Sequence, residues 1–332
     1  GESGGAGLAS AGGAAARRRV RVSDGSVVTV GSFDGLHRGH QAVVGTVVER
    51  AARSGLSAEL VTFTPHPAAV LSPATAPRRL SPGVELPELL AELGLDRAHI
   101  LRFDAELAAL GAEQFVTEVL LRRCGMRELV IGADHGFGQG RAADRQTLPD
   151  LGRKLGFGVT IVPPVLDAAG QAISSTGIRT ALAAGRLAQA AQWLGRPYRM
   201  SGRVVPGAGR GRVIRMPTIN LDGPPAEKVL PPDGVYAVRV EWGGGTAGGM
   251  MNQGPRPTVG DVRRSMEAHL FGLDQDLYGR MVRIEWVHRL RDIQKFPSLD
   301  ALRAQLALDR EQALRALALA PETSTARPIG AR

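Results

Sequence analysis

Five short apolar runs, 27–33, 57–63, 98–102, 128–132 and 158–163, recur through the first half of this 332-residue chain. Between them, segments 40–53, 85–94 and 111–123 carry apolar residues at three- and four-residue spacing, the helical period. Segment 111–123 does so through Phe115, Val116, Val119 and Leu120. Strands separated by helices pair in parallel, and the helices then cover both faces of the sheet. An α/β domain follows, with its ligand expected at the carboxyl ends of the strands.

Near residue 186 the pattern changes. Segments 198–205, 234–242, 246–252, 265–271 and 281–291 are strand-like, with Gly and Pro clustered between them. Short strands with turn signals and no intervening helices predict an antiparallel β-barrel. A terminal helix is expected from Ser298, a good N-cap, with Leu302, Leu306 and Leu314 on one face. The boundary, IRTALAAGRLAQAAQWLG, is itself helix-like. The expected division is 20–185 and 186–320, flanked by disordered tails at 1–19 and 321–332.

Composition narrows the function classes. No apolar stretch approaches the roughly 18 residues of a membrane span. The net charge is +9, yet Arg dominates, with Lys154, Lys228 and Lys295 the only lysines, and the cations are scattered apart from Arg17–Arg19. Without aromatic interleaving this predicts no dedicated nucleic-acid surface. A single cysteine, Cys124, makes no internal disulfide and fits a reducing, cytoplasmic setting. No obligatory protein partner is expected.

The first apolar run ends in GSFDGLHRGH (31–40), immediately before an amphipathic segment. Read as strand, tight turn and first helical turn, it puts His37 and His40 at a helix N-terminus. Unpaired amides and the dipole there favour phosphate. Two imidazoles add donors for charge that develops during nucleotidyl transfer, and a bound polyphosphate would favour their protonated forms. Gly31 and Gly35 admit the backbone to a nucleotide. Asp34 can accept from a turn amide or help hold a metal. An isolated H-x-G-H is more often a pair of surface or capping histidines, and no nearby Cys or third His completes a zinc set.

The full string G-x-F-D-G-x-H-x-G-H resembles the fingerprint of HxGH nucleotidyltransferases. TFTPHP (62–67), IGADHGFGQGRAAD (131–144) and ISSTGIR (173–179) follow in order. With the barrel motifs below, the chain resembles the bacterial bifunctional riboflavin kinase and FAD synthetase family from about Val20 to about Arg315. That resemblance implies a Rossmann-like nucleotidyltransferase domain that adenylylates FMN to FAD, releasing pyrophosphate. It places His37 and His40 on the ATP phosphates. Ser174, Ser175, Thr176 and Arg179 form a second phosphate-binding element, and Phe63 and His66 lie near the flavin phosphate or ring. Gly31, Phe33, Asp34, Asp134 and Arg141 complete the ATP and FMN contacts. His135 and Gly136 stand where the family usually has Phe and Arg.

In GRVVPGAGRGRVIRMPTINL (202–221), Gly207, Gly209 and Gly211 can bend backbone amides towards a phosphate, although neither G-x-x-x-x-G-K-[ST] nor G-x-G-x-x-G is present. Thr218 and Asn220, two apart, share a face in an extended segment and offer hard oxygens to Mg²⁺. The resemblance implies a flavokinase site in which this PT-x-N element binds metal and ATP. Glu267, in SMEAHLFGLDQDLYG (265–279), would act as base on riboflavin, with Arg256 a ligand contact. Arg215-Met216 replaces the family's Gly-Phe, Ile219 its Ala, Gln253 its Ile, and Ile293 a common acidic residue. Three readings follow: an enzyme with both activities, an adenylyltransferase with a weakened or lost kinase, or a non-catalytic flavin-binding protein.

Overall fold

A computed structural model describes residues 24–138, 143–207, 216–255 and 264–320. Arg141, Gly209, Gly211, Arg215 and Arg256 lie outside the described residues, as do both tails. Five strands, β1 (Ser26–Val30), β2 (Ser57–Thr64), β3 (Arg97–Arg102), β4 (Met126–Gly132) and β5 (Gly158–Val162), form one parallel sheet in the order β3-β2-β1-β4-β5. The strand order reverses at β1 and β4. β1 is buried along its whole length, as the doubly covered centre of a parallel sheet must be.

The helices of this half are α1 (Arg38–Ser54), α2 (Pro67–Leu71), α3 (Glu85–Leu90), α4 (Ala105–Ala109), α5 (Ala112–Phe115), α6 (Leu148–Leu155), α7 (Ser175–Ala183) and α8 (Leu187–Leu194). Helix α3 ends four residues before the expected 94. The segment expected as one helix over 111–123 is α5 followed by a π-helical stretch, Val116–Leu121. Its apolar face still packs as its spacing predicts, with Phe115, Val116, Val119 and Leu120 all buried.

Strands β6 (Tyr198–Val205), β7 (Ile219–Leu221), β8 (Gly234–Trp242), β9 (Gly245–Pro255), β10 (Arg264–Leu270) and β11 (Met281–Arg291) close a barrel in the order β10-β7-β6-β11-β8-β9. Helix α9 (Leu299–Leu319) is capped by Ser298, whose side chain accepts from the Ala301 amide. Its leucine face docks it only in part, through Leu306, which packs on Ala237, Met250 and Ala313. Leu314 is exposed, whereas Asp309 is fully buried and accepts from the Arg291 guanidinium at 2.8–3.0 Å. A buried ion pair and Ala313 seat this helix.

One core continues across the boundary: Ile178 and Leu182 of α7 and Leu187 and Leu194 of α8 pack with Tyr198, Met200 and Trp286 of the barrel. Leu80, from the first half, belongs to the same cluster. Its neighbours bond the barrel directly. The Arg79 amide donates to Glu227 O at 2.6 Å, and the Val229 amide donates to Arg79 O at 2.8 Å. Lys228, fully buried, donates from Nζ to Glu85 Oε2 at 2.5 Å, Leu80 O at 2.7 Å and Arg199 O at 2.8 Å.

Removing one partner of a buried pair strands the other charge. Lys228→Met is expected to lower unfolding free energy by about 3–5 kcal/mol in urea melts, and adding Glu85→Leu should restore most of it. No loss in the single variant would contradict a buried pair at the junction.

Candidate active sites

The turn after β1 is built under strain. Phe33 and Leu36 both adopt left-handed backbone angles, with φ of 49° and 42°. Each costs on the order of 1–2 kcal/mol for a residue with a Cβ. The strain sets the Phe33 ring edge-on to His40 at 5.3 Å. His37 is the N-cap of α1, its Nδ1 accepting from the His40 amide at 3.4 Å. The two imidazoles stack, centroids 3.7 Å apart. Gly39 permits this, because a Cβ there would press on the His37 ring at 3.1 Å.

A cavity of about 380 Å³ opens over this turn at the carboxyl ends of β1 and β4, the strand-order reversal where α/β sheets hold ligands. Its lining includes Gly31, Phe33, Asp34, His37, His40, His66, Asp134, Ser174, Ser175 and Arg179. Of the other candidates, two described residues lie elsewhere. Phe63 is buried against Phe103 and Phe115, Thr176 is not in the wall, and Arg141 is outside the described residues. His135, noted in the sequence only as a departure, joins His37, His40 and His66 in the wall as a fourth imidazole.

Asp34 does more than the sequence suggested. Its carboxylate accepts from the Leu80 and Ser81 amides at 3.0 Å, from Arg79 Nε at 3.3 Å and from Arg179 Nη2 at 2.6 Å. Burial alone would raise its pKa, but Arg79, these amides and Arg179 together hold the carboxyl below the usual range. It is a structural anchor with its oxygens committed. Ser175 Oγ donates to Asp34 O at 2.8 Å, while Ser174 Oγ caps α7 by accepting from the Gly177 amide.

Arg79 and Arg196 were missed from sequence because both act at long range. Arg196 donates to Gly35 O at 2.8 Å and Leu36 O at 3.2 Å, bracing the turn from beyond α8. Only its place directly after the left-handed Gly195 marked that stretch as a chain reversal.

Burial pushes the His37 imidazole down to about 4, against the pull of Asp134 and Asp34. His40 falls well below its ordinary value, first from burial, then from the His37 and His135 rings. Its Nδ1 is buried and has no hydrogen-bond partner among the described residues. Burial and Arg79 likewise bring His66, the N-cap of α2, to about 4. The imidazoles therefore stay neutral near pH 7 while the cavity is empty. The protonation expected from the sequence requires the anion to be bound.

In the barrel, Gly207, Thr218 and Asn220 line a cavity of about 240 Å³. Gly207 has no alternative, since a Cβ there would overlap the Asn220 carboxamide. Thr218 also borders a second, larger cavity of about 670 Å³ between the barrel wall and α9. That groove is walled by Met216, Val235, Met250, Leu302 and Leu306, with Asn252 and Glu267 among its few polar groups. Glu267 stands opposite both Asn220 and Asn252 in the strand register. The two cavities thus adjoin at Thr218, with Glu267 on the groove side.

The departures find places here. Met216 forms groove wall, and Ile293 borders the groove. Ile219 packs on the barrel core. Gln253 is fully buried yet satisfied, donating to Pro231 O at 2.7 Å and accepting from Trp286 Nε1 at 3.1 Å.

Comparison with known proteins bears on both halves. Residues 20–177 match the family model for FAD synthetase, and residues 194–317 match that for riboflavin kinase. The chain is 39% identical over 287 residues to the bifunctional riboflavin kinase/FMN adenylyltransferase of Escherichia coli (strain K12), covering 86% of this chain and 91% of that protein. The protein of the same name from Bacillus subtilis (strain 168) is 35% identical over 295 residues, covering 87% and 92%. A crystal structure described as a macrolide-efflux protein from Streptococcus pneumoniae superposes with a TM-score of 0.78 at 33% identity, covering 88% of this chain and 95% of that one. Among the described residues here, no helix is long and apolar enough to cross a membrane.

A histidine whose folded pKa lies below its unfolded value of 6.5 contributes stability that is complete above pH 6.5. That contribution is lost as pH falls from 6.5 towards about 4, the His37 value. His37→Asn should flatten the stability profile in that window. An NMR titration giving His37 a pKa near 6.5 in the ligand-free protein would contradict the burial argument.

Proposed function

The chain belongs to the bifunctional riboflavin kinase/FMN adenylyltransferase family, and from that premise we propose the residue roles that follow. The enzyme phosphorylates riboflavin to FMN and adenylylates FMN to FAD. We assign adenylylation to residues 20–185 and phosphorylation to 186–320.

In the first site, an FMN phosphate oxygen attacks the α-phosphorus of ATP in line, and the bond to the β-phosphate bridging oxygen breaks. Negative charge grows on the departing pyrophosphate. His37 and His40 donate to it, the helix α1 terminus adds its dipole, and Arg179 and Ser174 close the other side. The observation that carries this reading is the stacked histidine pair facing a cavity shared with α7.

In the second, the riboflavin ring occupies the groove under α9 and its ribityl hydroxyl approaches Glu267. The carboxylate takes the hydroxyl proton as the oxygen attacks the γ-phosphorus of ATP, and ADP leaves. Thr218 and Asn220, hard oxygen donors on one cavity wall, fit Mg²⁺, which would offset phosphate charge when bound. Gly207 and Gly211 would bring backbone amides to the phosphates, with Arg256 as a further ligand contact. The reactions consume ATP, which supports a cytoplasmic setting, and need only small-molecule partners.

Incubation with Mg-ATP and either riboflavin or FMN, followed by chromatography, tests the assignment. His40→Ala should cut FAD formation from FMN at least 10²-fold, on the order of losing one preorganised donor, and spare FMN formation. FAD formation at the wild-type rate would remove His40 from the mechanism. Glu267→Gln should have the opposite selectivity, with a loss of about 10²–10⁴-fold in phosphorylation alone. Equal loss of both reactions would contradict two separate sites.

A further inference from the structure

At the end of the parallel sheet opposite the phosphate cavity, three side chains that commonly bind metals converge. Glu59 is the third residue of β2, His99 the third of β3, and Cys124 lies two residues before β4. Their carboxylate, imidazole and thiol donor atoms all lie within 4.8 Å of one another, the one such trio among the described residues. Glu59 and Cys124 are buried, and both border a cavity of about 450 Å³.

We propose that Glu59, His99 and Cys124 form a binding site for a zinc-class divalent transition metal, with a water from the adjoining cavity as fourth ligand. A thiolate, an imidazole and a carboxylate suit a borderline-soft ion and not Mg²⁺, which prefers an all-oxygen shell. With metal–ligand bonds of about 2.0–2.3 Å, tetrahedral donors stand roughly 3.3–3.7 Å apart. A side-chain adjustment of about 1 Å therefore closes the set around an ion. His99 Nε2 already sits 2.7 Å from Glu59 Oε2, and Arg97 Nη1 holds the other oxygen at 2.9 Å. Arg97 can keep that bond and orient the carboxylate as an outer-shell partner.

The cavity wall also carries Arg97, Arg122, Arg123 and Arg127, which would repel a bare cation. One thiolate and one carboxylate cancel a 2+ charge, so the completed site presents no excess positive charge to them. Binding releases protons to solvent: the Cys124 S–H bond breaks as an S–metal bond forms, and His99, whose pKa its contacts with Cys124 and Glu59 raise to about 10, gives up a ring proton as an N–metal bond forms. Affinity should accordingly rise with pH. The occupied site would clip β2, β3 and the approach to β4 together, a structural role remote from both reactions.

Cobalt provides the probe, because Cys124 is the only cysteine in the chain. Full-length protein, stripped with chelator and titrated with Co²⁺, should show a thiolate-to-cobalt charge-transfer band saturating at one equivalent and abolished by Zn²⁺. Cys124→Ser should lose the band and keep FAD formation. His99→Gln, which can retain a hydrogen bond to Glu59, should weaken binding at least about 10-fold. It should also lose the rise in melting temperature that Zn²⁺ gives the wild type. Cobalt binding without the band would place the ion elsewhere, for example on the imidazoles of the phosphate cavity, and overturn the proposal. So would a band of undiminished affinity in His99→Gln, or no binding at all.

Discussion

The buried carboxylate of Asp34 ties the phosphate cavity to the barrel. Ionised and out of water, it is tolerable only because two backbone amides and two guanidiniums surround it. Those partners are not neighbours in sequence. Arg79, Leu80 and Ser81 come from the segment before α3, and Arg179 from α7. The same 79–81 segment bonds residues 227–229 of the barrel, so its position is fixed from both sides. The strained turn that carries His37 therefore rests, through one side chain, on the packing of the two halves. Arg196 reinforces it by bonding the carbonyls of the same turn.

That frame explains the electrostatics above it. Burial and nearby cations keep the histidine pair uncharged while the cavity is empty. A triphosphate reverses the balance, since its negative charge in a low-dielectric cleft favours an added proton. The cradle thus gains charge only with its ligand, and the neutral rings avoid the cost of an unpaired buried cation. The barrel site works differently. Thr218, Asn220 and Glu267 offer hydroxyl, carboxamide and carboxylate oxygens where a small polar cavity meets a larger apolar groove.

Much of this was legible in the residues. Period-2 and period-3.6 patterns located the five parallel strands and most barrel strands, because burial on defined faces writes itself into local spacing. The turn residues of GSFDGLHRGH announced a helix-terminal site, and Thr218 and Asn220 do share a cavity wall. What local pattern could not carry was partnership across the chain. Asp34 was expected to accept from a turn amide or help hold a metal, whereas its partners come from the distant residues 79–81 and 179. Phe63 lies beside the site in sequence terms yet packs inward, because a strand alternates its faces. Leu314 fits a leucine stripe, but the buried Asp309–Arg291 pair sets the rotation of α9 and leaves that leucine in solvent. Gln253, a departure by resemblance, turned out to be a fully satisfied core amide.

The central claim is that the stacked imidazoles of His37 and His40, braced through Asp34, receive the triphosphate of ATP. A crystal structure with a non-hydrolysable ATP analogue tests it most directly. The account predicts phosphate oxygens within about 3 Å of imidazole nitrogens of the pair, with the triphosphate lying between α1 and the start of α7. A triphosphate bound elsewhere in this half of the chain, with both rings facing solvent, would contradict it.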